Sequence, residues 1–153
     1  MNTSAHHAHY VRLILMSILS FIAMYILMYA MVDSFANVFS NFNQVYMAGL
    51  MASPMVLIEI GLMRAMYLNK TWNALIVAVS LILLLLFWFG IRKQIAISDK
   101  QFLRSMIPHH AGAILMCEQA SIRDPEIKQL CQEIISSQQR EIGQMKAKLN
   151  ELR

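Results

Sequence analysis

Long apolar runs separated by short polar breaks dominate the first two thirds of the chain. Two of these runs, 13–32 and 72–91, contain no charged residue, and a third, 45–63, contains only Glu59. Each run has about the 20 residues that a helix needs to cross the hydrocarbon core of a bilayer. The pattern therefore predicts three transmembrane helices within a membrane domain that covers residues 1–97.

The remaining residues, 98–153, are polar, and they predict a helical hairpin outside the membrane. Ser98 is followed three residues later by Gln101, which is typical of a capping box. We expect the first helix of the hairpin to begin there and to continue to about Ser121.

A second helix of the hairpin is predicted to begin at Pro125 and to run to about residue 151. Asp124 directly before Pro125 is a common helix start, since aspartate caps the first amide groups and proline suits the first helical position. Apolar residues recur at helical spacing along this helix. They are Ile127, Leu130, Ile134, Ile142, Met145, Leu149 and Leu152.

The hairpin is too small to bury much apolar surface by itself. Chains of roughly 60 residues are only marginally stable even when they are compact. We therefore expect an all-α protein in which two chains pair their hairpins into a four-helix bundle, so that the protein is a homo-oligomer. In such bundles the facing helices bring metal ligands together.

Composition agrees with a membrane protein. The chain is 58% hydrophobic and 14% charged, whereas soluble domains are usually about 25% charged. The net charge of +4 is spread along the chain and forms no basic stripe, and no nucleic-acid fold motif is present. The expected partner is the lipid bilayer, with no nucleic acid.

The charges beside the spans leave the membrane orientation nearly tied. Arg12, Arg64 and Lys70 favour a cytoplasmic N-terminus and a hairpin on the outer side. The opposite orientation is favoured by four cations after the third span, which are Arg92, Lys93, Lys100 and Arg104.

The segment MIPHHAGAILMC, residues 106–117, carries the candidate metal ligands. Residues three or four apart share a helix face, so Met106 should lie near His109 and His110, with Met116 further along that surface. Imidazole and thioether together suit copper, and soft sulfur favours Cu(I) over Cu(II). Zinc more often binds thiolate or carboxylate, so we expect copper, with zinc the weaker alternative.

The second helix of the hairpin should complete this site. Antiparallel packing sets Gln138 level with His110 and places Met145 one turn beyond, where it would add a thioether ligand. Glu141 is predicted either to bind the metal or to accept a hydrogen bond from an imidazole. Gln138 and Glu118 are predicted to orient the ligands from outside.

Cys117 and Cys131 each lie seven residues from Asp124. They should therefore sit at a similar height on the two helices, where a disulfide is geometrically possible. An oxidising compartment would favour that bond, and a reducing one would leave two thiols as candidate Cu(I) ligands. Packing of two small residues without any bond is the third interpretation.

A row of methionines marks the second span of this chain, which contains 13 methionines in all. The row recurs at every fourth position and consists of Met47, Met51, Met55, Glu59 and Met63. It indicates either a thioether relay for Cu(I) or ordinary packing. Glu59 suggests function because ionisable residues inside spans are costly, and the alternative is that it reaches the interface or pairs with Arg64.

Two local features have more than one interpretation. Pro108 predicts a kink in its helix, which either shapes the metal site or marks the start of the bundle helix. At the N-terminus, His6, His7 and His9 form either a loose metal-collecting arm or part of a disordered polar terminus.

The runs FLRSMIPHHAGAILMCEQA and CQEIISSQQREIGQMKAKL closely resemble the bacterial family known as domain of unknown function 305. Its hallmark is Met-Ile-x-His-His followed by Ala-Ile-x-Met, with Gln-x-x-Glu-Ile-x-x-Met on the next helix. The resemblance covers about residues 98–152. The matching residues are Met106, His109, His110, Ala113, Ile114, Met116, Gln138, Glu141, Ile142 and Met145.

This resemblance implies a ferritin-like helical fold and, for some members, extracytoplasmic copper binding linked to copper resistance. The three predicted spans make this chain a multi-pass protein of the bacterial inner membrane, and the resemblance implies that its hairpin lies in the periplasm. Soluble members have a signal peptide and further bundle helices where this chain has three membrane helices. That difference favours assembly between chains.

These patterns predict a membrane-anchored copper-binding protein that serves copper tolerance or handling. One alternative is a copper channel or transporter that uses the methionine row and Glu59, and another is a metal-free oligomeric scaffold. Di-iron oxidases of ferritin-like fold use Glu-x-x-His pairs, and this chain contains no such pair. An enzyme that oxidises a metal is therefore disfavoured, and Glu118, which we expect close to the histidine pair, keeps that alternative open.

Overall fold

The computed structural model describes residues 3–152, with side chains from residue 8 onward. Its helices are α1 (Thr3–Leu27), α2 (Phe42–Leu62), α3 (Lys70–Arg92), α4 (Asp99–Gln119) and α5 (Pro125–Glu151). Two short 3₁₀ turns, Met28–Met31 and Phe35–Asn37, lie between α1 and α2. The described residues contain no strand, so the all-helical prediction is confirmed.

Three segments are long and apolar enough to cross a membrane, as the sequence predicts. They are Ala8–Met31, Phe42–Leu62 and Lys70–Arg92. Only 6%, 33% and 11% of the residues in their most apolar windows are buried, so one chain leaves most of this apolar surface uncovered.

The N-terminal histidines belong to the first of these helices. Because α1 begins at Thr3, they are helical, and the predicted disordered terminus is wrong. The side chains of His6 and His7 lie outside the described residues.

Helices α1, α2 and α3 belong to one compact unit, formed by the residues up to 27 together with 43–95. A cavity of about 240 Å³ lies among them, and its lining includes Phe21, Gly49, Ser53, Ser80 and Phe87. No described methionine lines this cavity. The side chains of Met47, Met51 and Met63 are instead 40%, 36% and 39% exposed, so one chain does not gather the methionine row into an internal path.

Glu59 is held at the end of α2 by a tyrosine. The hydroxyl of Tyr67, a residue only 4% exposed, donates to Oε1 of Glu59 at 3.1 Å. Arg64 instead donates from Nε to the carbonyl of Gly61 at 3.0 Å. Among the residues with described side chains, no ion pair joins Glu59 to Arg64, so that predicted pairing is replaced by the Tyr67 contact.

The second unit consists of residues 28–42, here called the connecting segment, and the hairpin of α4 and α5. Asp124 caps α5 by accepting at Oδ1 from the amides of Glu126 at 2.9 Å and Ile127 at 3.1 Å. The predicted start of α5 is therefore confirmed. The hairpin core is made of Ile107, Ala111, Ile114, Ile142 and Leu149.

The first helix of the hairpin is capped differently from the prediction. Ser98 is the N-cap residue of α4 but makes no side-chain capping hydrogen bond. Gln101 instead uses Oε1 to accept from the backbone amide of Phe42 at 3.1 Å. The predicted capping box is therefore wrong, because Gln101 holds the end of the connecting segment.

The connecting segment covers part of the hairpin face that we expected a second chain to cover. Val32 and Phe39 pack against the hairpin core. Near them, the carbonyl oxygen of Met31 would lie 3.3 Å from a Cβ atom placed on the buried residue Gly112 of α4. The chain thus supplies some of its own cover, and the four-helix bundle between chains stays a prediction.

The apolar stripe of α5 is buried over only part of its length. Ile142 and Leu149 are 7% and 6% exposed, whereas Ile127 and Leu130, near the turn, are 49% and 52% exposed. The connecting segment and α4 therefore leave the turn end of the hairpin uncovered.

Replacing Gly112 with leucine is expected to release the connecting segment from α4. The close approach to Met31 leaves no room for a leucine side chain, so amides of residues 28–42 should exchange with solvent faster, as measured by hydrogen exchange with mass spectrometry. Gly143→Leu on α5 is the matched control, because a Cβ atom there meets no atom within 4 Å. Equal exchange in the two variants would contradict the packing described.

Candidate metal centre

The two helices of the hairpin meet in a polar contact beside the core. Nδ1 of His110 on α4 lies 3.1 Å from Oε2 of Glu141 on α5. The His110 side chain is only 13% exposed, whereas that of Glu141 is 47% exposed. The contact therefore joins a nearly buried imidazole to a carboxylate that solvent can reach.

The imidazole nitrogen in this contact has no aligned hydrogen bond. Nδ1 of His110 is buried, and despite its short distance to Glu141 it forms no hydrogen bond with any described residue. Burial lowers the pKa of His110 below its usual range, the Glu141 carboxylate raises it in part, and His109 lowers it further. His110 is therefore neutral at neutral pH, which is the form that binds metals.

Two methionines lie one helical turn from this contact, both in the same direction. Met106 precedes His110 by four residues on α4, and Met145 follows Glu141 by four residues on α5. Residues four apart share a helix face, and α4 and α5 run antiparallel. Both thioethers are partly buried, and Met145 packs against the hairpin core. We call His110, Glu141, Met106 and Met145 the inner cluster.

The other predicted ligands lie on a different face of α4. His109 is exposed, and its ring centroid lies 6.0 Å from that of His110. Met116 is 55% exposed. Since seven residues make almost two full turns, His109 and Met116 share a face, which we call the outer face.

The two residues predicted to orient the ligands are placed differently from each other. Gln138 is partly buried, one turn before Glu141 on α5. Glu118 is exposed near the end of α4, and its position eight residues after His110 is about 12 Å further along the helix. The structure therefore does not bring Glu118 to the histidine pair.

The donors of the inner cluster fit a soft metal better than a hard one. Within the part of the chain that the structure describes, no group of three or more His, Cys, Asp or Glu side chains converges on a point that could hold a metal. Zinc sites are usually built from such groups. A site with one imidazole, one carboxylate and two thioethers instead has the sulfur ligands that select Cu(I).

The two cysteines face each other across the hairpin, near its turn. Both are free thiols and both are partly buried. A hydrogen bond to Cys131, together with burial, raises the pKa of Cys117 to about 11. The pair has the positions expected from its spacing about Asp124, and the thiols are not joined in a disulfide.

The connecting segment is the part of this unit that the sequence patterns did not identify. Asn41 donates from Nδ2 to the carbonyl of Arg104 at 3.5 Å, and the hydroxyl of Tyr29 donates to the carbonyl of Phe39 at 2.8 Å. One signal was available in the order of the predicted spans. Two spans separate this segment from the hairpin, so three spans would put both on the same side of a membrane.

Comparison with known proteins identifies relatives of the whole chain and of its hairpin. The family described as Domain of unknown function (DUF305) matches residues 91–149. The chain is also similar to "Uncharacterized protein L153" of Acanthamoeba polyphaga mimivirus, with 38% identity over 142 residues that cover 91% of both chains. No solved structure matches.

Proposed function

Because this chain belongs to the family described as Domain of unknown function (DUF305), whose hallmark residues build its hairpin, we propose that it is a membrane-anchored copper-binding protein. It binds Cu(I) on the hairpin and serves copper tolerance or handling. The observation that carries this proposal is the contact of His110 with Glu141 at 3.1 Å, with Met106 and Met145 one turn away.

Each residue of the inner cluster has a separate role in this proposal. His110 supplies a neutral nitrogen, and Met106 and Met145 supply thioethers that favour Cu(I). Glu141 either completes the metal coordination or orients the imidazole, as carboxylates beside metal-binding histidines commonly do. Gln138 lies close enough along α5 to assist Glu141.

The outer face supports assembly of two or more chains. His109 and Met116 are exposed donors that one chain leaves incomplete. In an antiparallel pairing, Met116 of a second chain would meet His109 and its His109 would meet Met116, so that each pair would offer copper one imidazole and one thioether. The homo-oligomer is therefore part of the proposal, and Cu(I) should favour it.

The packing of the connecting segment on the hairpin agrees with three membrane spans. With three spans, both parts emerge on one side of the bilayer, and the N-terminus and the α2–α3 loop emerge on the other. We propose that the hairpin side is extracytoplasmic. The bacterial inner membrane and the periplasm stay predictions, and because the similar protein is viral, the proposal itself requires only a bilayer.

The alternative of a copper channel has less support in one chain. Three methionines of the row, Met47 and Met51 in α2 and Met63 directly after it, are at least 36% exposed, so a path for Cu(I) would have to form between chains. A metal-free scaffold would leave the buried Nδ1 of His110 with only its poorly aligned contact to Glu141. Copper binding therefore accounts for more of the observed geometry.

Titration of the purified protein in detergent tests the proposal. The protein, reduced and kept under anaerobic conditions, is titrated with Cu(I) in competition with a chromogenic chelator, and separately with Cu(II) and Zn(II). We expect Cu(I) to bind most tightly, because thioethers are soft ligands. Tighter binding of Zn(II), or Cu(I) binding no stronger than that of a detergent blank, would contradict the proposal.

A further inference from the structure

The cavity among α1, α2 and α3 lies at the middle of the three candidate spans. Each helix contributes one serine to its lining, and these are Ser17, Ser53 and Ser80. Every one of them lies within about three residues of the midpoint of its span. In a bilayer, the cavity therefore lies near the centre of the hydrocarbon core, about 15 Å from either polar surface.

Apart from the serines, the walls of the cavity are apolar and partly aromatic. They include Ile18, Phe21, Val56, Leu83 and Phe87. A Cβ atom on Gly49 would collide with the ring of Phe87, so the glycine allows this ring to pack directly against α2. The volume of the cavity is about 240 Å³, whereas an apolar cavity of about 150 Å³ already holds benzene. The cavity thus has room for a six-membered ring with substituents.

One hydroxyl in this cavity has no hydrogen-bond partner. Ser17 donates to the carbonyl of Leu13 at 2.7 Å. Ser53 donates to the carbonyl of Gly49, also at 2.7 Å. Ser80 is only 5% exposed, and its hydroxyl forms no hydrogen bond with any described residue. A buried donor without a partner is costly, so an occupant that satisfies Ser80 has to carry an acceptor.

From this arrangement we propose that the cavity binds the ring of a membrane quinone, whose carbonyl oxygen accepts a hydrogen bond from Ser80. Quinones with an isoprenoid tail dissolve in the bilayer core, and a flat ring packs well against aromatic side chains. Charged lipid headgroups stay at the surface, because a charge at the bilayer centre is costly, and an acyl chain has no acceptor. Binding is noncovalent and transfers no electron. The site lies outside the hairpin, so it goes beyond the proposed function.

The lining also leaves room for the tail of such a ligand. Ile18 on α1 and Leu83 on α3 line the cavity, and they are 52% and 40% exposed. The wall of the cavity therefore reaches the outer surface of the three helices, which faces lipid when they span a bilayer. A quinone ring can enter there while its apolar tail remains in lipid, so the ligand does not have to pass through water.

Binding of a decyl-substituted benzoquinone to the full chain in phosphatidylcholine nanodiscs tests this site. Radiolabelled quinone is titrated, and binding to empty nanodiscs is subtracted. We expect one saturable site per chain. Ser80→Ala should weaken binding by about 3–10-fold, which is the usual effect of one lost hydrogen bond. Ser53→Ala is the matched control and should leave the affinity nearly unchanged, because the Ser53 hydroxyl already donates to Gly49.

A second pair of variants separates loss of the cavity from loss of folding. Ser80→Leu fills the cavity and should abolish quinone binding, whereas Val79→Leu should not, since Val79 is 45% exposed and lies outside the lining. Both variants should keep the helical circular dichroism and the Cu(I) affinity of the unaltered protein. No saturable binding, equal affinity in Ser80→Ala and the unaltered protein, or displacement of the quinone by an equal concentration of decane would overturn the inference. Absence of Cu(I) binding in the unaltered protein would contradict only the proposed function.

Discussion

Replacing His110 with alanine is expected to lower Cu(I) affinity by more than about 100-fold in a protein that also carries Cys117→Ser and Cys131→Ser. Removal of residues that only orient a metal ligand typically costs 10–100-fold in affinity, and His110 is proposed as a ligand itself. Its imidazole is 13% exposed and lies 3.1 Å from Glu141. The cysteine replacements prevent thiolate binding from hiding the loss.

His109→Ala is the matched control for this experiment, since it removes the neighbouring imidazole from the outer face. The Cu(I) affinity of each chain should fall less in this variant than in His110→Ala. Any association of chains that depends on Cu(I) should also weaken, as measured by sedimentation. A competition titration with a Cu(I) chelator gives both affinities. If His109→Ala causes the larger loss per chain, the inner cluster is not the principal site.

Truncating Ile107 to alanine is expected to destabilise the unit of α4, α5 and the connecting segment by about 2–5 kcal/mol. Ile107 is 0% exposed and belongs to the core that packs against Val32 and Phe39, so the deletion leaves a cavity. Small domains have total stabilities of about 5–15 kcal/mol. The amides of α4, α5 and the connecting segment should therefore lose most of their protection against hydrogen exchange.

The control for this truncation is Ile127→Ala, which removes the same atoms from a side chain that is 49% exposed. It should change hydrogen exchange little, because surface substitutions usually cost less than about 0.5 kcal/mol. Unchanged exchange in the connecting segment of Ile107→Ala would show that the segment and the hairpin do not share a core.

Local signals in the sequence predicted the helices well. Runs without charge identify spans because a charge in the bilayer core is costly, and the pair Asp124–Pro125 identifies the start of α5 because a cap acts within three residues. The prediction of a capping box at Ser98 was wrong because the partner of Gln101 is distant in the sequence. Gln101 contacts Phe42, a residue 59 positions earlier, and no local pattern reveals such a partner.

The candidate site was predictable in part. Antiparallel packing correctly placed the Glu141 region opposite the histidines, but it set Gln138 level with His110, and the observed contact is with Glu141. Small differences in the crossing of two helices shift such a register by several residues. The division between His109 and His110 depends on which of two adjacent positions turns inward, and that is decided by the packing of α5 on α4.

X-ray absorption spectroscopy of the Cu(I)-loaded Cys117→Ser/Cys131→Ser protein tests the central claim most directly, because the only sulfur atoms left in this protein are thioethers. The inner cluster predicts a first shell that contains both sulfur and imidazole nitrogen, and the imidazole signal should fall in His110→Ala. A first shell without sulfur, or one that His110→Ala leaves unchanged, would contradict the claim that the hairpin binds Cu(I) through His110, Met106 and Met145.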